Sequence, residues 1–114
     1  MSSPLPAIVQ NLLKLCGTAR DGSLLRFSLG NEYLKLGDAA GAATHLREAV
    51  ARDAGYSAAW KLLGRALAET GDKHGALAAY RSGTAAAEQK GDKQAGKEMA
   101  VFARRLAKEL GEQD

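Results

Sequence analysis

The chain nearly repeats itself every 34 residues: Ser23 to Tyr56 laid over Ser57 to Lys90 agree at nine positions. Six of the nine fall in adjacent pairs, with Leu29-Gly30 on Leu63-Gly64, Gly37-Asp38 on Gly71-Asp72, and Gly41-Ala42 on Gly75-Ala76. A fixed period of this length excludes most globular topologies, because each unit must bury its apolar face against copies of itself. Stacked repeats of this kind present extended surfaces, so binding to another chain is the function class favoured over catalysis.

Within each unit the apolar spacing is helical. Leu5 to Cys16 carry Ile8, Leu12 and Leu15 on one stripe before Gly17, which predicts a first helix over 5–16. After the loop Gly17 to Gly22, Ser23 is the expected N-cap of a helix over 23–36, with Phe27, Leu29, Tyr33 and Leu36 as apolar contacts. Gly37-Asp38 then does two jobs: Gly ends one helix in the left-handed conformation and Asp caps the next, over 39–52, with Ala42, Leu46, Ala49 and Val50 inward. Ser57, Gly71-Asp72 and Gly91-Asp92 punctuate the remainder into helices over 57–70, 73–89 and 93–110. The last of these carries Met99, Phe102, Ala103, Leu106 and Leu110 as one stripe expected to face inward. The whole reads as all-α, with loops too short to hide a strand.

Composition fits a thin, helical core. Apolar content of 46% and charged content of 25% are ordinary for a water-soluble domain, but only 5% of residues are aromatic and Gly occurs 13 times. The 16 basic and 13 acidic residues divide as 6 and 5 up to Tyr56 and 10 and 8 after it, with no block of one sign. Cys16 is alone, which excludes an intrachain disulfide and suits a reducing, cytoplasmic setting. Gln10, Asn11 and Lys14 interrupt the best apolar run near the N-terminus, so neither a signal peptide nor a membrane span is expected.

Trp60, Leu63, Gly64 and Leu67, followed by Ala76 and Tyr80, stand in an order that resembles the tetratricopeptide repeat, whose pattern runs W-x2-L-G-x2-Y, then A-x3-F and a Pro. Leu29, Gly30, Tyr33, Ala42, Leu46 and Ala49 occupy the same slots one period earlier. Arg26 in the Trp slot, Leu67 in the Tyr slot, Gly83 in an Ala slot, and Ala54 and Glu88 in the Pro slots depart from the pattern. The mid-helix glycines are expected to face Ala42 and Ala76 across close helix crossings, with Trp60, Leu63, Ala76 and Tyr80 clustered and mostly buried. Counting back one period from Ala42, Leu46 and Ala49 lands on Ile8, Leu12 and Leu15. The chain is therefore read as one domain over 1–114: an N-terminal capping helix over 5–16, repeats over 23–56 and 57–90, and a C-terminal capping helix over 93–110 in the place of a third unit's first helix.

The resemblance implies a right-handed α-solenoid whose concave wall is lined by the first helix of each pair. Its wall positions fall on Leu24, Phe27, Asn31, Leu34 and Lys35, and on Lys61, Arg65, Ala68 and Glu69. Of these, Phe27, Asn31, Lys35, Lys61, Arg65 and Glu69 form the expected peptide-binding set, in which Lys61 and Arg65 share a face. Some such domains grip an acidic carboxy-terminal tail with Lys, Arg and Asn at these positions, so an acidic protein segment is the expected partner. Leu62 fills a slot where such a clamp can require an Asn. The alternative is a self-association module, in which Leu24, Leu34 and Val101 form a patch for a second copy.

No catalytic set is legible. His45 and His74 lie in different repeats on helices expected to face outward, with no Cys or carboxylate spaced as a metal ligand or triad partner. Ser28 and Ser82 lack a nucleophile-elbow context, and Asp38, Asp72 and Asp92 are explained by capping. The reading is of a non-enzyme without cofactor or metal. A nucleic-acid surface on Lys90, Lys93, Lys97, Arg104, Arg105 and Lys108 is disfavoured, because Asp92, Glu98 and Glu109 dilute the charge and Phe102 is expected inside.

Overall fold

Six helices follow one another in the computed structural model, which describes residues 4–112: α1 (Ala7–Leu13), α2 (Ser23–Lys35), α3 (Ala39–Arg52), α4 (Ser57–Glu69), α5 (Lys73–Gln89) and α6 (Lys93–Glu109). Residues 1–3 and 113–114 of the expected domain lie outside the described residues. No strand occurs among those described. The helices form a slab of 42 × 34 × 19 Å.

The Gly-Asp pairs build the sharp returns. Gly37, Gly71 and Gly91 have φ of 79°, 88° and 75°, the left-handed region where a side chain is strained. The amide of the following Asp reaches back to Tyr33, Leu67 or Ala87 at 2.9–3.0 Å, which closes each helix end. The carboxylate of the same Asp then accepts the amide of Gly41, Gly75 or Ala95 at 2.8, 2.8 and 3.2 Å. Ser23 and Ser57, by contrast, are not caps. Each lies one residue inside its helix, the cap positions are Gly22 and Tyr56, and neither of those helices has a side-chain cap.

α2 packs on α3, α4 on α5, and α5 on α6, while α4 touches α2 and α6 on either side. The shared interior is alanine-rich: Ala42, Ala49, Ala59, Ala66, Ala76 and Ala87 are fully buried around Leu46 and Met99. The mid-helix glycines face large side chains rather than the alanines expected. A Cβ on Gly30 would run into the Leu46 side chain, and one on Gly64 would sit 2.7 Å from the Tyr80 ring. Gly83 likewise makes room for the Met99 sulfur and the Trp60 Cβ, so this departure from the repeat pattern is matched by its neighbours on α4 and α6. Leu63, Ala76 and Tyr80 are buried as expected, whereas Trp60 is half-buried and its indole N–H donates to the Ala54 carbonyl at 2.8 Å.

α1 is shorter than the expected 5–16. Pro6 stands at its cap, and past Leu13 the chain tightens into i→i−3 bonds from Leu15 and Cys16. Its fully buried residue is Val9, 1% exposed, against Leu25 and Leu29; Leu12 and Leu15 pack half-buried on the same cluster as expected, while Ile8 is 53% exposed and lies outside the stripe. Leu36 also lies outside the core.

The loop between α1 and α2 is held by charge. Asp21, its side chain 6% exposed, accepts from Arg26 Nε and Nη2 at 2.9 and 2.8 Å, from the Gly17 amide at 2.8 Å, and from Arg52 Nη2 at 3.3 Å. Arg26 also meets His45 Nδ1 at 3.1 Å, and the imidazole stacks on Tyr33 with centroids 5.2 Å apart. His45 is therefore a half-buried packing residue and not the outward, solvated group expected. Arg26 occupies the place of the repeat's Trp and ties loop, α2 and α3 together by hydrogen bonds instead of ring packing.

Candidate functional site

On the face shared by α2, α4 and α6, a cavity of about 490 Å³ is lined by Phe27, Asn31, Ala58, Lys61, Leu62, Arg65, Tyr80 and Phe102. Four of the six residues expected from the sequence meet here: Phe27 and Asn31 from α2, Lys61 and Arg65 from α4. Lys35 and Glu69 do not line the cavity. Lys35 projects into solvent and pairs with Glu32 at 3.0 Å; Glu69 accepts from Arg65 Nε at 3.2 Å. Leu24 is 66% exposed, and Leu34 is a core residue at 7%, which removes it from both the wall and the proposed self-association patch.

The geometry follows from helical spacing. Lys61 and Arg65 are one turn apart on α4 and point the same way, with Leu62 beside them. The inward stripe of α4, Ala59-Leu63-Ala66-Leu67, aligns on α6 with Met99-Ala103-Leu106-Ala107, a displacement of 40 residues rather than 34. That shift puts Phe102 where α4 has Leu62. Phe102 is consequently 37% exposed at the groove and not inside the stripe as expected. It stacks on Tyr80 with centroids 5.2 Å apart, and Phe27 stacks on Tyr56 at 4.9 Å, so an aromatic pair stands on each side of the cavity.

Lys61 Nζ lies 2.5 Å from Glu98 Oε2, which ties α4 to α6. This hydrogen bond, and a second from Gln94, hold the Glu98 carboxyl below its ordinary pKa. Burial pushes the Tyr80 phenol up, so it stays protonated and able to donate at neutral pH. The arrangement can seat an apolar side chain between the aromatic pairs, with the Asn31 amide and two paired cations at the rim.

Sequence reasoning missed Ala58, Tyr80 and Phe102 as groove residues, whereas Leu62 lines the groove from the clamp slot the resemblance gave it. The 34-residue period could not find Phe102, because the inward stripe of α6 stands 40 residues from that of α4. A hollow of about 550 Å³ on the other side overlies Val50, Trp60 and Leu67. Its rim is mainly Ala51, Ala54, Ala78 and Ser82, with Arg47 as its one charged group, so it offers little to orient a ligand. Among the described residues no three of His, Cys, Asp and Glu converge as a metal site, and no helix is long and apolar enough to cross a membrane.

Residues 27–92 match the family model described as Tetratricopeptide repeat. The TPR repeat-containing protein PA0015 of Pseudomonas aeruginosa is 50% identical over 99 residues, which span 87% of this chain and 94% of that protein. The solution structure of protein BPP2914 from Bordetella parapertussis superposes with a TM-score of 0.74 at 45% identity, covering 91% of this chain and 90% of its own. The crystal structure of MamA gives a TM-score of 0.63 over 90% of this chain and 68% of its own; at 18% identity it speaks for the fold alone.

Proposed function

The chain belongs to the tetratricopeptide repeat family, and on that premise we propose that it is a non-enzymatic interaction module whose concave groove takes a segment of another protein. Repeat proteins of this family serve generally as interaction scaffolds rather than enzymes. The observation that carries the groove reading is the convergence of Phe27, Asn31, Lys61, Leu62, Arg65, Tyr80 and Phe102 on one cavity of about 490 Å³. An apolar side chain of the partner enters between the two aromatic pairs, Asn31 meets its backbone, and the paired Lys61 and Arg65 stand at the rim beside it. With so small a wall, affinity is no tighter than about micromolar, because ordering a flexible segment consumes much of the contact energy.

The self-association reading is less supported. With Leu34 buried, its remaining members Leu24 and Val101 stand on α2 and α6, which do not touch one another. The test is a titration of labelled protein with short peptides that carry one Phe among aspartates, followed by amide chemical shifts. Perturbations are expected on α2, α4 and α6, and Lys61→Glu with Arg65→Glu should abolish them for the acidic peptide. Shifts confined to the outer faces of α3 and α5 would refute the groove.

A further inference from the structure

The Lys61 cation at the rim of the groove is already occupied by the chain itself. The Lys61–Glu98 pair is formed by side chains 42% and 40% exposed, so solutes reach it and it can open. Gln94, one turn before Glu98 on α6, donates to the other carboxylate oxygen at 3.4 Å and steadies it. Arg65 is held in the same manner by Glu69. A partner carboxylate arriving at this wall meets neutralised cations, whereas an apolar side chain meets Phe27, Leu62 and Phe102 uncovered.

We infer that Glu98 is a resident competitor for Lys61, a specificity-determining residue that makes the groove select a segment by its apolar anchor and nearly ignore its acidity. The inference rests on the groove reading above. Exchanging one carboxylate for another on the same ammonium changes the free energy little, since the bond formed resembles the bond broken. The partner's apolar contacts have no such internal rival. Removing the Glu98 charge alters only the first of these: Lys61 becomes unpaired, and an incoming carboxylate then gains the whole ion pair. The pair does little for folding by itself, because exposed ion pairs contribute weakly to stability.

The experiment uses the full chain, as wild type and Glu98→Gln, with two capped peptides of equal length, one Phe flanked by aspartates in the first and by asparagines in the second. Glutamine keeps the length and hydrogen-bonding capacity of the side chain, so a mere brace between α4 and α6 is retained, and the unfolding midpoint of each protein is recorded beside its Kd. The wild type is expected to distinguish the peptides by less than about twofold, and Glu98→Gln to bind the aspartate peptide about fivefold more tightly with the asparagine peptide unchanged. Adding Lys61→Met should cancel that gain. If Glu98→Gln shifts both peptides alike, or neither, while groove residues still respond, the competitor role is wrong and the groove stands. If neither protein shows shifts at Phe27, Leu62 and Phe102 with either peptide, the groove reading fails and the inference with it.

Discussion

Gly64 is in the middle of α4, where a glycine costs roughly 1 kcal/mol relative to alanine. The offset is the Tyr80 ring, which lies where a Cβ would be, 2.7 Å from its ideal position. The sequence located this crossing but assigned it the wrong partner. Leu-Gly spacing reports that something approaches closely, and it is silent on whether the approaching group is another small residue or a large one laid over the gap. Tyr80 is 6% exposed and stacked on Phe102, so moving its ring off Gly64 would break that stack. Gly64→Ala should therefore destabilise by about 1–3 kcal/mol in spite of its better helix propensity, and Gly64→Leu by more. In a Tyr80→Ala background the Gly64→Ala change should become neutral or stabilising, because the clash has gone and the propensity gain is left. Urea midpoints of the four proteins decide this; simple additivity would mean that Tyr80 is not what the glycine accommodates.

At the scale of elements, the chain advertises its helix ends unequally. Each Gly-Asp pair states a stop and a start in two adjacent residues, and α3, α5 and α6 begin where these pairs place them. Ser23 and Ser57 carry the right chemistry for capping but sit one residue too late, a distinction set by backbone geometry and not by residue type. The Asp21 network was illegible for a different reason: its members are spread from Gly17 to Arg52 and meet only after α2 and α3 pack. Its consequence is a pH dependence with two windows. The Arg26 hydrogen bonds, and then the Gly17 amide, hold the Asp21 carboxyl well below the usual carboxylate range. Its folded pKa is depressed, so its contribution is complete above the unfolded value of about 4 and is lost as pH falls below that. Burial, and then the Arg26 charge, push the His45 pKa down as well. The unfolded imidazole takes its proton near pH 6.5 while the folded one stays neutral, so stability declines as pH drops below about 6.5. Denaturation from pH 7 to 2 should show both slopes, with His45→Gln flattening the upper and Asp21→Asn the lower. Retention of the upper slope in His45→Gln would place that proton elsewhere.

For the whole molecule, the repeat period made the two central pairs legible and the two flanking helices only partly so. The period continues back into α1 but is displaced at α6, whose inward stripe is Met99, Ala103, Leu106 and Ala107 and whose Phe102 turns into the groove. An Ala-rich stripe flanked by one aromatic leaves the direction of that aromatic undetermined until the helix is docked. The two flanking helices also differ in what they cover. α1 covers a small cluster of Leu25 and Leu29 with Val9, while α6 covers α5 along its length and supplies Met99, buried completely in the main core. Burying a Met or Leu side chain stabilises by about 1.5–3 kcal/mol, and α6 brings Met99 and Leu106 together with three buried small residues. It also supplies half of the Tyr80–Phe102 stack. Deleting residues 93–114 should therefore unfold or aggregate the protein, because the faces of α4 and α5 it leaves bare have no other cover. Deleting residues 1–13 should lower the urea midpoint yet leave a cooperative transition and the helical circular dichroism of the other five helices. The reverse ranking, a folded protein without α6 and an unfolded one without α1, would show that the stability of the stack is seated at its N-terminal end and that α6 is dispensable to the core.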